Sequence, residues 1–211
     1  MKEVDVVQGS AEWLNLRCGK ITGSNFDVLM PSPKQKDLPF NKTQKDYLYS
    51  VAAEILTGES EEDYQSYDMM RGLELEPQAA EYYSMSHLVK VRECGFFTDD
   101  IMIGVSPDRI VGDNEMVLEI KCPKAKTHVM YLDQPEQLFK KYKWQTLGEA
   151  YATGIKSVGL ISFHPDFPDS KKMVEVEYTA TDDDFKQLES RRKECVDFVK
   201  ALVADPIDVG F

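Results

Sequence analysis

The hydrophobic period changes part-way along this chain, and that change constrains the fold more than any other feature. Before residue 88 the apolar residues recur at helical spacing, and from there to Pro123 they alternate. "LVKVRECGFFTD", "IMIGVSPDRIVG" and "MVLEIKCP" read as three strands, and "GDNE" is the turn between the last two. Consecutive antiparallel strands are the predicted arrangement. Ahead of them, "QGSAEWLNLR" is a short helix entered through Ser10, and "TGSNFDVLM" starts another with Ser24 as N-cap and Asp27 three residues on. "NKTQKDYLYSVAAEILTGE" aligns Tyr47, Val51 and Ile55, beside Leu48, Ala52 and Leu56, before a stop at Gly58. "RGLELEPQAAEYYSMSHL" stacks Leu75, Ala79 and Tyr83, with Glu76 on the flank.

After the strands, "PEQLFKKYKWQTLGEAYATG" is a long helix closed by Gly154, with one face running Leu138, Tyr142, Gln145, Glu149. "SVGLISFHP" and "MVEVEYTA" return to strand, and "DDDFKQLESRRKECVDFVKALV" is a final helix on Phe185, Leu188, Cys195, Val199 and Leu202. The order is helices, strands, helix, strands, helix. It predicts an α/β (α+β) fold, a mixed sheet covered by helices, as a single domain over residues 1–211.

No run approaches a membrane span, and "MKEVDVVQGSAEW" has no signal-peptide pattern, so the expectation is a soluble cytoplasmic protein without membrane contact. Cys18, Cys94, Cys122 and Cys195 are scattered singly, which argues for free thiols and against a zinc ribbon or an iron–sulfur cluster. The net charge of −12 speaks against a general nucleic-acid binder. Yet "PSPKQKDLPFNKTQK" (31–45), "KCPKAK" (121–126) and "KKYK" (140–143) are basic islands, while "GESEEDYQSYD" (58–68), "TATDDDF" (179–185) and the last helix carry the acid. Islands matter only if the fold gathers them at a groove.

The chemistry concentrates in "SPDRIVGDNEMVLEIKCP". Asp108, Glu119 and Lys121 sit in strands that otherwise read as core, where charge is costly unless paired or bound to metal. Alternation puts Val117, Glu119 and Lys121 on one face and Leu118 and Ile120 on the other. The short turn can bring Asp108 beside Glu119, where two carboxylates repel unless a cation lies between them. Oxygen donors from two carboxylates and a strand carbonyl suit Mg²⁺ or Mn²⁺ rather than zinc. Lys121 is then placed to hold or deprotonate an attacking water or to neutralise the transition state.

Asp108, ten intervening residues, then Glu119, Ile120 and Lys121 resembles the PD-(D/E)xK nuclease signature. With "WLNLRCGKITGS", "RGLELEPQAAEYY" and "YKWQTLGEAYATG" in the same order, residues 8–166 resemble the lambda-type phage exonucleases, also called viral recombinase or alkaline exonuclease proteins. The resemblance implies a restriction-endonuclease-like core with a central mixed sheet. It implies that Asp108, Glu119 and the Ile120 carbonyl bind Mg²⁺ (Mn²⁺ possible), with Glu76 as a further acidic contact and Lys121 catalytic. Arg17, Ser24, Ser106 and Gln145 would grip the 5′-phosphate of a DNA end, with Tyr142 at the border. Read alone, Ser24 is an N-cap, Arg17 a surface cation, and Glu76 and Gln145 polar helix positions.

The implied activity is metal-dependent 5′-to-3′ exonuclease action on linear double-stranded DNA. It would release mononucleotides and leave 3′ overhangs for recombination by strand annealing. A ring-shaped homotrimer around DNA, a single-strand annealing protein as partner, and a phage or prophage gene in a bacterial host are implied with it. Two alternatives stay open: a restriction- or repair-type endonuclease on the same core, and a non-catalytic DNA-end-binding module.

Overall fold

A computed structural model describes residues 1–32, 38–60, 67–99 and 102–204, with the backbone alone for 67–69. The basic stretch 31–45 and the acidic stretch 58–68 therefore lie partly outside the described residues. In chain order come β1 (Lys2–Val4), α1 (Ala11–Arg17), β2 (Ile21–Thr22), a 3₁₀ turn (Gly23–Asn25), α2 (Phe26–Leu29), α3 (Lys42–Thr57) and α4 (Tyr67–His87). Then follow β3 (Val91–Arg92), β4 (Phe96–Thr98), β5 (Ile103–Val105), β6 (Arg109–Val111), β7 (Met116–Lys121), α5 (Ala125–Asp133), α6 (Pro135–Thr153), β8 (Ser157–Phe163), β9 (Met173–Thr179) and α7 (Asp182–Val203).

Most helix boundaries follow local chemistry. Ser10 caps α1, accepting from the Trp13 backbone N–H. Asn41 and Gln44 form a reciprocal capping box on α3, and Gly58 closes that helix at φ 73°. Thr181 and Asp184 do the same at the start of α7. The Ser24 expectation is corrected. Ser24 lies inside the 3₁₀ turn, Asn25 precedes α2 without a side-chain cap, and Asp27 turns away to a different helix. The last turn of α3 also departs from the pattern, with Leu56 66% exposed.

The strands form two sheets, ordered β1-β4-β5-β2 and β3-β6-β7-β8-β9. The turn at Gly112–Glu115 was legible: β6 and β7 pair antiparallel, with Gly112 and Asn114 at φ 58° and 66°. The first two predicted strands each split and change sheets. Gly95 ends one half where a Cβ would meet the Val4 carbonyl oxygen at 2.0 Å, so β1 crosses close by. Pro107, which has no N–H to donate, separates β5 from β6. β7 and β8 are parallel, and α5 with α6 provides the crossover. Helix α5 has no counterpart in the sequence reading.

The central strands β6, β7 and β8 are buried on both faces. Val117 and Val158 face a core shared with α2, α3, α6 and α7, built on Phe26, Leu48, Leu147, Leu188 and Val199. Leu118, Ile120, Ile161 and Phe163 face Ala79, Ala80 and Tyr83 of α4. Sheet alternation keeps Glu119 and Lys121 on one face, as the sequence predicts, and that face is the one turned to α6. Among the described residues no helix is long and apolar enough to cross a membrane, and the cysteines are all free thiols.

Candidate active site

The hairpin places its charges at one end of the five-stranded sheet. Asp108 lies in the bend just before β6, and its Oδ2 accepts a hydrogen bond from the Ile120 backbone N–H at 2.6 Å. Glu119, 1% exposed, contacts the Lys121 ammonium group through Oε1. From α6, Gln145 Nε2 donates to the same Oε1 at 2.6 Å, and Gln145 Oε1 accepts from Lys121 Nζ at 3.3 Å. Lys121 Nζ also lies 4.7 Å above the Tyr142 ring. From α4, Glu76 Oε1 accepts from Arg109 at 2.5 Å.

Two residues that the sequence reading assigned no role complete this group. Glu149 is buried one turn beyond Gln145, whose Nε2 reaches its Oε1 at 3.2 Å. Its place on the Gln145 face was a usable signal. Arg109 is buried beside Asp108, and a cation inside an apolar strand was the signal there.

The electrostatics are those of crowded carboxylates. Burial pushes the Asp108 carboxyl well above its ordinary range, and the charges of Glu119 and Glu76 add to it. Burial raises Glu149 in the same way, followed by Glu119 and Asp108. Glu76 is also raised by burial, with Arg109 opposing. Burial alone would lower the Lys121 ammonium, but Glu119 and Asp108 outweigh it and the net shift is upward. Lys121 is therefore held as a cation.

Two carboxylate oxygens, Oε2 of Glu119 and Oε2 of Glu149, are buried and receive no hydrogen bond from any other group, and the two carboxyls lie within hydrogen-bonding reach of each other once one is protonated. Buried acceptor oxygens crowded beside an acid that resists ionisation suit a hard cation. Among the described residues no three His, Cys, Asp or Glu side chains converge as a ready-made cage. The donors present could hold a hard ion only if water or substrate oxygens complete its shell.

The site opens into a cleft of about 430 Å³ that includes Glu76, Asp108, Ile120, Lys121 and Tyr142 in its lining. Arg71, Lys124 and Lys141 line it as well. Arg71 is held by the carbonyls of Cys122 and Pro123 at 2.5 and 3.0 Å. Two of the basic islands thus meet at the carboxylates, which answers the objection raised by the overall negative charge.

The remaining phosphate-binding candidates form a second group. Arg17 stacks on Trp13 at 4.2 Å, and Trp13 Nε1 donates to Ser106 Oγ at 2.8 Å. Arg17 lines a separate hollow of about 190 Å³ with Lys20, Thr22, Asn25 and Tyr47. Ser24 is exposed, its hydroxyl 3.4 Å from that of Thr22. The structure brings Gln145 and Tyr142 to the carboxylates and links Arg17 to Ser106 through Trp13.

The model of the YqaJ-like viral recombinase domain matches residues 12–156. The chain belongs to this family. Its fold is shared with solved exonucleases. The alkaline exonuclease LHK-Exo of Laribacter hongkongensis superposes with a TM-score of 0.81 at 24% identity, covering 92% of this chain and 94% of that one. The same enzyme in complex with dAMP gives 0.81 at 25% identity over the same shares. A phage-related exonuclease from Haemophilus somnus gives 0.73 at 15% identity, covering 90% of this chain and 97% of that one. Comparison with curated protein sequences gives no match. The family match takes in nearly all of α1, the acidic hairpin and the whole of α6, segments that supply residues of both groups.

Proposed function

We propose that this protein is a metal-dependent 5′-to-3′ exonuclease acting on linear double-stranded DNA, with Asp108, Glu119 and Lys121 at its catalytic centre. The observation that carries the reading is the buried Glu119 carboxylate, held by Lys121 through one oxygen and facing only a second buried carboxyl, that of Glu149, at the other. A structural ion pair has no need of a second buried carboxyl beside it, and Glu149 supplies one. Membership of a viral recombinase family and a fold shared with exonucleases support the same chemistry.

Mg²⁺ or Mn²⁺, held by Asp108, Glu119 and the Ile120 carbonyl, would supply Lewis-acid polarisation of the scissile phosphodiester. Lys121, kept cationic by its neighbours, donates to the oxygen on which negative charge accumulates. Gln145 holds Glu119 and Lys121 in register. Arg71, Lys124 and Lys141 neutralise phosphates along the cleft. Arg17 and Ser106, linked through Trp13, with Ser24 at the neighbouring turn, are the proposed receptor for the terminal 5′-phosphate.

The test compares linear duplexes carrying 5′-phosphate or 5′-hydroxyl ends with covalently closed circles, in Mg²⁺, using the wild type and Lys121→Ala. Mononucleotide release from phosphorylated ends, lost in the variant, is expected. Cutting of closed circles at a rate equal to that of linear duplex would overturn the exonuclease reading in favour of an endonuclease.

A further inference from the structure

Helix α6 is broken in its middle, where Tyr142 adopts φ −116° and ψ 16°. A helix that restarts after such a break has unpaired backbone N–H groups on its first turn. Here one side chain from a distant part of the chain takes two of them. Asp27 Oδ1 accepts from the Trp144 N–H at 2.9 Å, and Oδ2 accepts from the Gln145 N–H at 3.1 Å. Below the break, the Thr146 hydroxyl lies 3.2 and 3.0 Å from the carbonyls of Tyr142 and Lys143.

Asp27 reaches this point because α2 and α6 nearly touch. Phe26 packs on Gly148, where a Cβ would come within 2.3 Å of the phenyl ring. Any larger residue at 148 would lift α2, and Asp27 with it. The clamp also acts where it matters. One of its two donors is the backbone of Gln145, whose side chain touches Glu119, Lys121 and Glu149 at once.

We propose that Asp27 is a positioning residue for the reaction, fixing the restarted half of α6 so that the Gln145 amide stays between Glu119 and Lys121. The inference rests on the hydrolytic reading of the cleft. Its physical content is that a glutamine wedged among three ionisable groups tolerates little displacement, and that a misplacement of about 1 Å in such a site can cost 100-fold in rate.

The experiment uses the full chain with Mg²⁺ and a 5′-phosphorylated linear duplex. Asp27→Ala, Asp27→Asn, Gln145→Ala and the double variant Asp27→Ala/Gln145→Ala are compared for kcat and KM, with thermal melts run alongside. Asp27→Ala should lower kcat by about 10- to 100-fold with a smaller change in KM. Asp27→Asn, which keeps one carbonyl acceptor for the two N–H groups, should fold as the wild type does and fall between the two. The double variant should be no slower than Gln145→Ala alone, because Asp27 acts through Gln145. The proposal is overturned if Asp27→Ala and Asp27→Asn stay within about threefold of the wild type while Gln145→Ala is impaired, or if the two losses multiply in the double variant. A wild type that cuts no DNA would instead refute the hydrolytic reading, and this inference with it.

Discussion

Replacing Lys121 with methionine asks whether its ammonium group is what makes the burial of Glu119 tolerable. The two side chains are in contact, Glu119 2% and Lys121 22% exposed. Besides Lys121, Glu119 Oε1 receives the neutral Gln145 amide at 2.6 Å, while Oε2 is buried with no cationic partner, facing only the Glu149 carboxyl. Methionine keeps much of the stem and removes the charge. Deleting one member of a buried pair costs about 3–5 kcal/mol, because the other charge is left uncompensated. At about 2–4 °C per kcal/mol for a chain of this size, the melting temperature should fall by roughly 6–20 °C. Adding Glu119→Gln removes the stranded charge, so the double variant should regain most of the loss, with a coupling of about 2 kcal/mol or more. Urea melts in EDTA near neutral pH measure both quantities. A loss below about 1 kcal/mol for Lys121→Met, or a double variant as unstable as the sum of the singles, would refute the argument.

Two further outcomes are expected. Divalent cation should stabilise the protein even without DNA: at about ten times the dissociation constant, binding contributes about 1.4 kcal/mol. The resulting rise of a few degrees in a thermal melt should vanish in Asp108→Asn, and equal rises in both proteins would count against the metal site. Asp184 makes a pH prediction. Burial pushes its carboxyl up, but hydrogen bonds from Thr181, Tyr178 and Lys143 pull it from 3.8 down to about 2. At about 1.4 kcal/mol per unit, and reduced for solvent screening, this contributes about 1–2 kcal/mol. Because the folded value is depressed, the contribution is full above the unfolded value near 4 and is lost as pH falls through about 2. The stability gap between the wild type and Asp184→Asn should close over that window in acid urea melts; a pH-independent gap would contradict it.

The placement of Asp108, Glu119 and Lys121 was legible because it needs only the shortest-range rules. Period-two alternation and a four-residue turn suffice to set Glu119 and Lys121 on one face and Asp108 across from them. Gln145 and Glu149 were visible as one helical face, although their meeting with Glu119 depends on how α6 lies against β7. What could not be read came from contacts distant in sequence. The strand runs split between two sheets because β1, more than ninety residues earlier, pairs with β4. The break in α6 is held by Asp27, which local pattern assigned to capping its own helix. Helix α5 was hidden by its brevity, nine residues that begin inside the basic island and end just before α6.

β7 is hydrogen-bonded on both edges, to β6 and to β8, and covered by packed side chains on both faces. Such a strand exchanges its amide protons only when much of the domain opens. Glu119 and Lys121 therefore ride on an anvil, and whatever breathing the proposed reaction needs is left to the helical walls that carry Glu76, Arg71 and Tyr142.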